Sequence, residues 1–125
     1  MKIVLRPYAP ADFEVIYEID QQCFDPALAY SRLDLRNYLR LPGGDCVIAD
    51  AEGKIAGFLV TAHENGVGSI VTIDVLAAYR RQGVATLLIE ECERRLAAAG
   101  VRTIDLETAT DNRSEERRVG KECRP

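Results

Sequence analysis

The hydrophobic positions of this chain follow two different periods. Short apolar or alternating stretches bounded by Gly, Pro, Asn and Asp are typical of strands. Between them, apolar residues recur every three to four positions, as they do on one face of a helix. The pattern predicts, in order, a strand at 2–6, a helix that opens at 10–12 and ends at 25–26, a helix after Ser31, strands at 46–50, 55–63 and 67–75, a helix at 83–99 and a strand at 101–107.

This order of elements predicts an α+β fold with a mixed sheet. Short turns at 51–54 and 64–66 join the three middle strands, which favours an antiparallel meander. The long helix then allows the strand at 101–107 to return parallel to a meander strand. Its apolar ridge has i, i+4 spacing and consists of Val84, Leu88, Cys92 and Leu96.

The stretch 70–85 connects the last meander strand to the long helix. The turn inside it contains Arg80, Arg81 and Gly83. A helix N-terminus presents backbone N–H groups and the positive end of the helix dipole, and cations are unfavourable there unless an anion is nearby. The stretch therefore predicts a phosphate-binding site.

Length and charge limit the class of protein. The chain has 125 residues, 47% of them hydrophobic, which suits one domain with a packed core. Residues 113–125 hold five of the 16 basic and three of the 20 acidic residues. Residues 1–112 therefore have a net charge of −6, whereas the whole chain has −4. An acidic body argues against non-specific nucleic-acid binding and is compatible with a cationic substrate.

The four cysteines and the single histidine, His63, match no zinc pattern, and no metal site is expected. No apolar run is long enough for a signal peptide or a membrane span. We therefore expect a cytoplasmic protein with reduced thiols, and Cys46 and Cys92 are expected to be core residues.

The residues at 80–85, together with the order of elements, resemble the GNAT superfamily of acyl-CoA N-acyltransferases. The signature of that family is Gln or Arg, two residues, Gly, one residue, then Gly or Ala, and Arg80, Gly83 and Ala85 match it. Residues 73–75 resemble the bulged, splayed strand of the family, and Glu107 with Asn112 resembles the next family segment. The resemblance covers residues 1 to about 112, and its details resemble the ribosomal-protein-alanine N-acetyltransferase branch.

The resemblance implies that acetyl-CoA is the donor and a primary amine the acceptor, which react directly in a ternary complex. The implied cofactor-binding residues are Ile73, Asp74, Val75, Arg80, Arg81, Gln82, Gly83, Val84, Ala85, Thr86 and Asn112. Arg80 and Arg81 either contact phosphate or face solvent.

The same resemblance assigns catalytic roles. The backbone N–H of Val75 is placed to stabilise the developing oxyanion of the thioester. Glu107 matches the position of the base that removes a proton from the incoming ammonium, with Asp74 as the weaker alternative. His63, Tyr30 and Tyr79 are interpreted as surface or packing residues.

The chain departs from the family after Asn112. Family members carry a further helix, with a Tyr that protonates the leaving thiolate, and further strands; these are absent here. Residues 113–125 form a charged tail, and 113–123 resemble a translated sequencing adapter. We therefore expect a partial acetyltransferase domain at 1–112, a foreign or disordered tail at 113–125, and little or no activity of this chain.

Two alternatives stay open at the level of sequence. The first is a non-catalytic acyl-CoA binding or regulatory module on the same fold. The second concerns the acceptor, which can be a protein N-terminus, a ribosomal-protein alanine, a lysine, a polyamine or another small amine. The sequence gives no oligomeric state, although a sheet that lacks its last strands is expected to expose an edge that favours association.

Overall fold

The computed structural model describes residues 2–106. The helices are α1 (Phe13–Cys23), α2 (Arg32–Arg40) and α3 (Val84–Ala98), and short 3-10 turns lie at Pro10–Asp12 and Ala77–Tyr79. The strands are β1 (Ile3–Pro7), β2 (Asp45–Ala51), β3 (Lys54–Glu64), β4 (Val67–Val75) and β5 (Thr103–Leu106). Each predicted element is present, and most bounds differ by only one or two residues.

The five strands form one sheet in the order β1-β2-β3-β4-β5. The first four pair antiparallel, and β5 pairs parallel to β4 after the crossover through α3. The predicted α+β class, the meander and the parallel return strand are therefore confirmed. The site described below lies at the last strand pair of the sheet, β4 and β5.

Helices cover the sheet on both faces, because its strands have apolar side chains on both sides. One core contains residues of α1 and α2, such as Ile16 and Leu35, packed on Phe58 and Val60 of β3. The other contains the α3 ridge packed on Leu59. Successive residues of β3 thus belong to opposite cores, as the alternation of a strand requires.

Local chemistry fixes the helix ends. The side chain of Ser31 accepts a hydrogen bond from the backbone N–H of Asp34 at 3.1 Å, so the predicted N-cap of α2 is confirmed. Gly83 caps α3 with φ of 81°, a left-handed conformation that costs glycine little. Gly100 follows α3 with φ of 89° and is the expected stop.

The cysteines only partly match the prediction. Cys46 and Cys92 are buried free thiols in the two cores. Burial raises the pKa of Cys92 to about 11 and raises the pKa of Cys46 further, so both stay protonated at neutral pH. Cys23 is disulfide-bonded, so the prediction of four reduced thiols is wrong at this residue. Spacing along a chain does not show which sulfur atoms approach one another in space.

Candidate active site

The site lies where β4 extends past its pairing with β5. Within the described residues, β5 pairs with β4 only from Val67 to Ile70. The remaining part of β4, up to Val75, pairs with β3. The other edge of this strand end faces away from β3, on the side where β5 lies.

A β-bulge lies in β4 one residue after its last described pairing with β5. Val60 of β3 is paired with Thr72 and the next residue with Ile70, so Val71 is the extra residue. The sequence placed the bulge at 73–75, and this position is wrong. Residues 73–75 form a regular ladder with β3, and the irregularity precedes them. A bulge depends on register with the neighbouring strand, which the residues of β4 alone do not determine.

The backbone polar groups of Val75 face away from β3. The N–H of Leu76 donates to the carbonyl of Ala56 at 2.9 Å, so Leu76 turns its polar groups towards β3. Because these groups alternate along an extended strand, the N–H and C=O of Val75 point the other way. This is the orientation that an oxyanion donor at Val75 requires.

The side chains of this strand end are buried, so only its backbone is available to contact a ligand. Ile73 and Val75 belong to the core under α3, as the sequence predicts. Asp74 lies on the opposite face, fully buried, and accepts a hydrogen bond from the hydroxyl of Thr72 at 2.7 Å. The Asp74 side chain is therefore part of the face that α1 and α2 cover, which makes direct contact of its carboxylate with a cofactor on the α3 side sterically unfavourable.

The turn that follows β4 presents backbone donors at the start of α3. Arg81 has φ of 64° and Gly83 has φ of 81°, so two left-handed residues alternate with ordinary ones. Such alternation produces a concave array of N–H groups that binds anions. The first residues of α3, Val84, Ala85 and Thr86, add N–H groups that have no acceptor within the helix.

The side chains of this turn have different surroundings. Arg80 is half-buried, and its Nε donates to the carbonyl of Val75 at 3.3 Å, which ties the turn to the strand end. Arg81 is exposed. The amide of Gln82 donates to the carbonyl of Ala78 at 3.2 Å and closes the turn on itself. Val84 is buried in the α3 core, so only its backbone faces the turn.

The opposite face of the strand end contacts the connection between α1 and α2. The hydroxyl of Tyr30 donates to the carbonyl of Val71 at 3.3 Å. The Sγ atom of Cys23 lies 3.6 Å from the carbonyl of Val75. Sequence reasoning missed both contacts, because each joins residues more than 40 positions apart. Tyr30 is a packing residue, as predicted, but one that packs on the bulge.

Two cavities adjoin this face. One of about 320 Å³ is lined by Tyr30, Asp34, Asn37, Tyr38 and Leu41. A larger one of about 680 Å³ lies at the start of β4, beside Val67 and Ser69, and includes His63. The smaller cavity includes Tyr30, whose hydroxyl contacts the carbonyl of Val71, whereas the larger one lies at the end of β4 remote from the turn.

The predicted base Glu107 and the predicted cofactor residue Asn112 lie outside the described residues. Among residues 2–106, no group of three or more His, Cys, Asp or Glu side chains is arranged to hold a metal ion. No helix in this part of the chain has the length and apolar character needed to cross a membrane.

A family model described as the acetyltransferase (GNAT) family matches residues 13–117. The chain belongs to the GNAT acetyltransferase family. The match includes β4, the turn before α3 and α3 itself.

Individual relatives agree with the family at low identity. An acetyltransferase of Pectobacterium atrosepticum is 25% identical over 114 residues, which are 86% of this chain and 77% of the relative. The ribosomal-protein-S18-alanine N-acetyltransferase of Escherichia coli superposes with a TM-score of 0.77 at 23% identity, over 89% of this chain and 70% of that one. AAC(6')-Iy, in complex with a bisubstrate analogue of CoA, gives a TM-score of 0.73 at 23% identity, over 94% and 86% of the two chains. At this identity, the two structures establish that this GNAT chain shares their fold.

Proposed function

We propose that this protein transfers an acetyl group from acetyl-CoA to a primary amine by direct attack in a ternary complex. One observation carries the proposal. The carbonyl of Val75 is approached by Arg80 of the turn before α3 and by Cys23 at the end of α1. A donor bound at the turn and an acceptor bound against the α1–α2 connection would therefore meet at the same strand end.

The turn from Arg80 to Thr86 is the proposed site of the CoA pyrophosphate. Backbone N–H groups of the left-handed turn and of the helix start converge there, and the dipole of α3 favours negative charge. Arg81 is exposed and adds a positive charge. Asn112 is proposed to contact the CoA arm, as the family resemblance implies. The bound analogue of AAC(6')-Iy supports CoA as the donor.

The pantetheine arm is proposed to lie along β4 from Ile73 to Val75, on the side away from β3, as an added strand would. In this position the backbone N–H of Val75 would donate to the thioester oxygen as negative charge develops on it. Because the Ile73 and Val75 side chains are core residues, the backbone supplies this contact whatever their identity.

Glu107 is proposed to be the general base. It follows Leu106, which pairs with Ile70 immediately before the bulge. A primary amine is mostly protonated at neutral pH, since its pKa is about 8 for an N-terminus and about 10 for a lysine. Removal of that proton, directly or through a water, must precede attack.

A covalent acetyl-cysteine route has little support. Cys46 and Cys92 are buried and protonated, and Cys23 is disulfide-bonded. A nucleophilic cysteine needs an accessible thiolate. Among the described residues no thiol meets this requirement, which favours direct attack by the amine.

The acceptor is proposed to be a cationic amine, either a protein N-terminus or a small molecule. The smaller cavity combines the carboxylate of Asp34 with the rings of Tyr30 and Tyr38, a combination that suits a cation. The net charge of −4 favours the same class of ligand. The names of the two superposed enzymes include a protein alanine and an aminoglycoside-type analogue, which supports both kinds of acceptor.

We further propose that the chain of 125 residues turns over poorly, because the resemblance assigns the general acid to a Tyr after Asn112 and residues 113–125 contain no Tyr. Residues 1–112 are the proposed acetyltransferase domain, and 113–125 a foreign tail. Amplification of the source genome across the Asn112 codon tests the tail. Native coding sequence that continues through residues 113–123 would refute its foreign origin.

The experiment for the function is a screen with radiolabelled acetyl-CoA against peptides with N-terminal Ala or Ser, lysine peptides, spermidine and kanamycin. It is run with this chain and with a chain restored from the genome beyond Asn112. We expect calorimetry to detect CoA binding to both chains, and acetyl transfer mainly by the restored chain. Equal turnover by both chains would refute the inactivity. CoA binding without transfer by the restored chain would favour the non-catalytic binding module.

A further inference from the structure

The connection between α1 and α2 is held by two consecutive side chains of α1. The backbone N–H of Tyr30 donates to Oδ2 of Asp20 at 2.7 Å. The side-chain amide of Gln21 donates to the carbonyl of Tyr30 at 2.8 Å. Both backbone polar groups of Tyr30 are therefore bonded to the last turns of α1, ten residues earlier in the chain.

These bonds determine where the Tyr30 side chain lies. Its hydroxyl reaches the carbonyl of Val71 at 3.3 Å, and its ring packs edge-on against Tyr38 with centroids 5.3 Å apart. Val71 is the bulge residue of β4. Tyr30 therefore lies between this bulge and the cavity that contains Asp34.

Asp20 is an unusual residue for its location. It lies on the apolar face of α1 with 0% of its surface exposed. Its Oδ1 atom is buried and has no hydrogen-bond partner within the described part of the chain. Burial of a carboxylate with one oxygen unbonded is costly. Stability alone would be served better by asparagine, whose oxygen can accept the same bond from the N–H of Tyr30.

What a carboxylate adds is a stronger and shorter bond to a backbone N–H. The stronger bond fixes the position of Tyr30. The hydroxyl of Tyr30 in turn contacts the strand end. A firm position for Tyr30 matters where a ligand must be held at a defined distance from a reacting group.

We propose that Asp20 is a positioning residue for the acceptor amine: it fixes Tyr30 against the bulge at Val71, and Tyr30 in turn contacts the bound amine. The proposal rests on the proposed function. Asp20 does not touch the substrate, and it acts on the acceptor without acting on CoA, whose proposed site is at the turn before α3.

Titration of the ¹⁵N-labelled full chain, followed by amide chemical shifts, tests this inference. CoA is added first, and then, one at a time, a hexapeptide with N-terminal Ala, spermidine and kanamycin. We expect CoA to shift the amides of 80–86 and at least one amine probe to shift those of Tyr30 and Val71. If CoA leaves 80–86 unchanged, the proposed function fails. If CoA shifts them and no amine probe shifts Tyr30, the inference about Asp20 fails alone.

Three variants then separate positioning from folding. D20A is expected to bind the amine probe at least about tenfold more weakly, since a buried N–H loses a charged partner, and to bind CoA within about twofold of the wild type. D20N keeps an acceptor for the N–H of Tyr30 and is expected to lie within about threefold of the wild type for both ligands. I48V is the control for lost stability in the same core, because Ile48 is fully buried under α1, and it is expected to bind both ligands as the wild type does.

The outcomes are decisive in either direction. Wild-type affinity of D20A for the amine probe, or an equal loss for the probe and CoA, overturns the inference. If D20A does not fold, Y30F decides, because it removes the bond to the carbonyl of Val71 and keeps the ring. We expect Y30F to bind the probe about threefold or more weakly with unchanged CoA affinity, and an unchanged affinity for the probe overturns the inference.

Discussion

At the scale of single residues, the turn before α3 depends on backbone conformations that side chains rarely adopt. Arg81 and Gly83 both have positive φ. A Cβ atom added at Gly83 would meet nothing within 4 Å, so a substitution there strains the backbone without a steric clash. Gly53, in the turn between β2 and β3, has φ of 96° and an equally open surrounding. The two glycines therefore form a matched pair.

G83A and G53A are expected to lose similar stability, about 1–2 kcal/mol each, because alanine is strained in the left-handed region. Only G83A is expected to weaken CoA binding, by about tenfold, since it disturbs N–H groups proposed to contact the pyrophosphate. Urea denaturation and calorimetry with CoA measure the two effects. Equal CoA affinity in both variants would argue against the turn as the phosphate site.

Glu107 allows a second test of a single side chain. In the chain restored beyond Asn112, E107Q is expected to lower kcat by about 100-fold or more, because a positioned base contributes that much to proton transfer. CoA affinity is expected to stay the same. The pH profile of kcat/KM should lose its acidic limb. Transfer at the wild-type rate by E107Q would eliminate Glu107 as the base and leave Asp74 as the candidate.

At the scale of elements, a bidentate ion pair joins β1 to the turn before α1. Arg6 donates to both carboxylate oxygens of Asp12 at 2.9 and 3.0 Å, and Asp12 also accepts from the N–H of Ala9 at 2.8 Å. The bond from Arg6 is the main cause that lowers the pKa of Asp12 below its usual value. The pair stabilises the packing of α1 on the sheet at neutral pH.

D12N is expected to destabilise the protein by about 1 kcal/mol at pH 7, because it removes a charged hydrogen-bonded partner of Arg6. Since the folded-state pKa of Asp12 is lowered, its stabilisation is present above the unfolded-state pKa of about 3.9 and disappears as the pH falls through the folded-state value. The stability difference between wild type and D12N should therefore narrow below about pH 4. E93Q, at an exposed position of α3, is the control. A difference that stays constant down to pH 2 would contradict the assigned role.

The elements themselves were largely predictable, because their end signals are local. Ser31 caps α2 through a bond to a residue three positions away, and the glycines at 83 and 100 flank α3 as expected. The bulge at Val71 was misplaced because it depends on register with β3. The role of Tyr30 was missed because its hydroxyl contacts a strand 41 residues later.

At the scale of the whole molecule, two cores on opposite faces of one sheet direct the two proposed substrates to one strand end. α3 brings the turn before it to Val75 from one face, and α1 brings Cys23 to the same residue from the other. The proposed donor and acceptor sites thus belong to different helices and meet only through β4. This arrangement explains why a change at Asp20 is expected to affect only the acceptor.

Removal of residues 113–125 tests the domain proposed at 1–112. In reducing buffer, we expect the shortened chain to melt within about 2 °C of the full chain, because charged residues outside the proposed domain add little to its stability. Its CoA affinity is expected to be unchanged. A clear drop in melting temperature, measured by circular dichroism, would show that the tail belongs to the folded domain.

The sequence by itself determined the order of elements, the α+β class and the turn before α3. These follow from local periodicity, caps and glycines, and the turn also carries the family signature at Arg80, Gly83 and Ala85. Only the tertiary structure decided where the bulge of β4 lies, that the Val75 backbone faces away from β3, and that Asp20 holds Tyr30 against the bulge. These features depend on strand register and on contacts between distant residues, which packing of the whole chain fixes and local pattern does not.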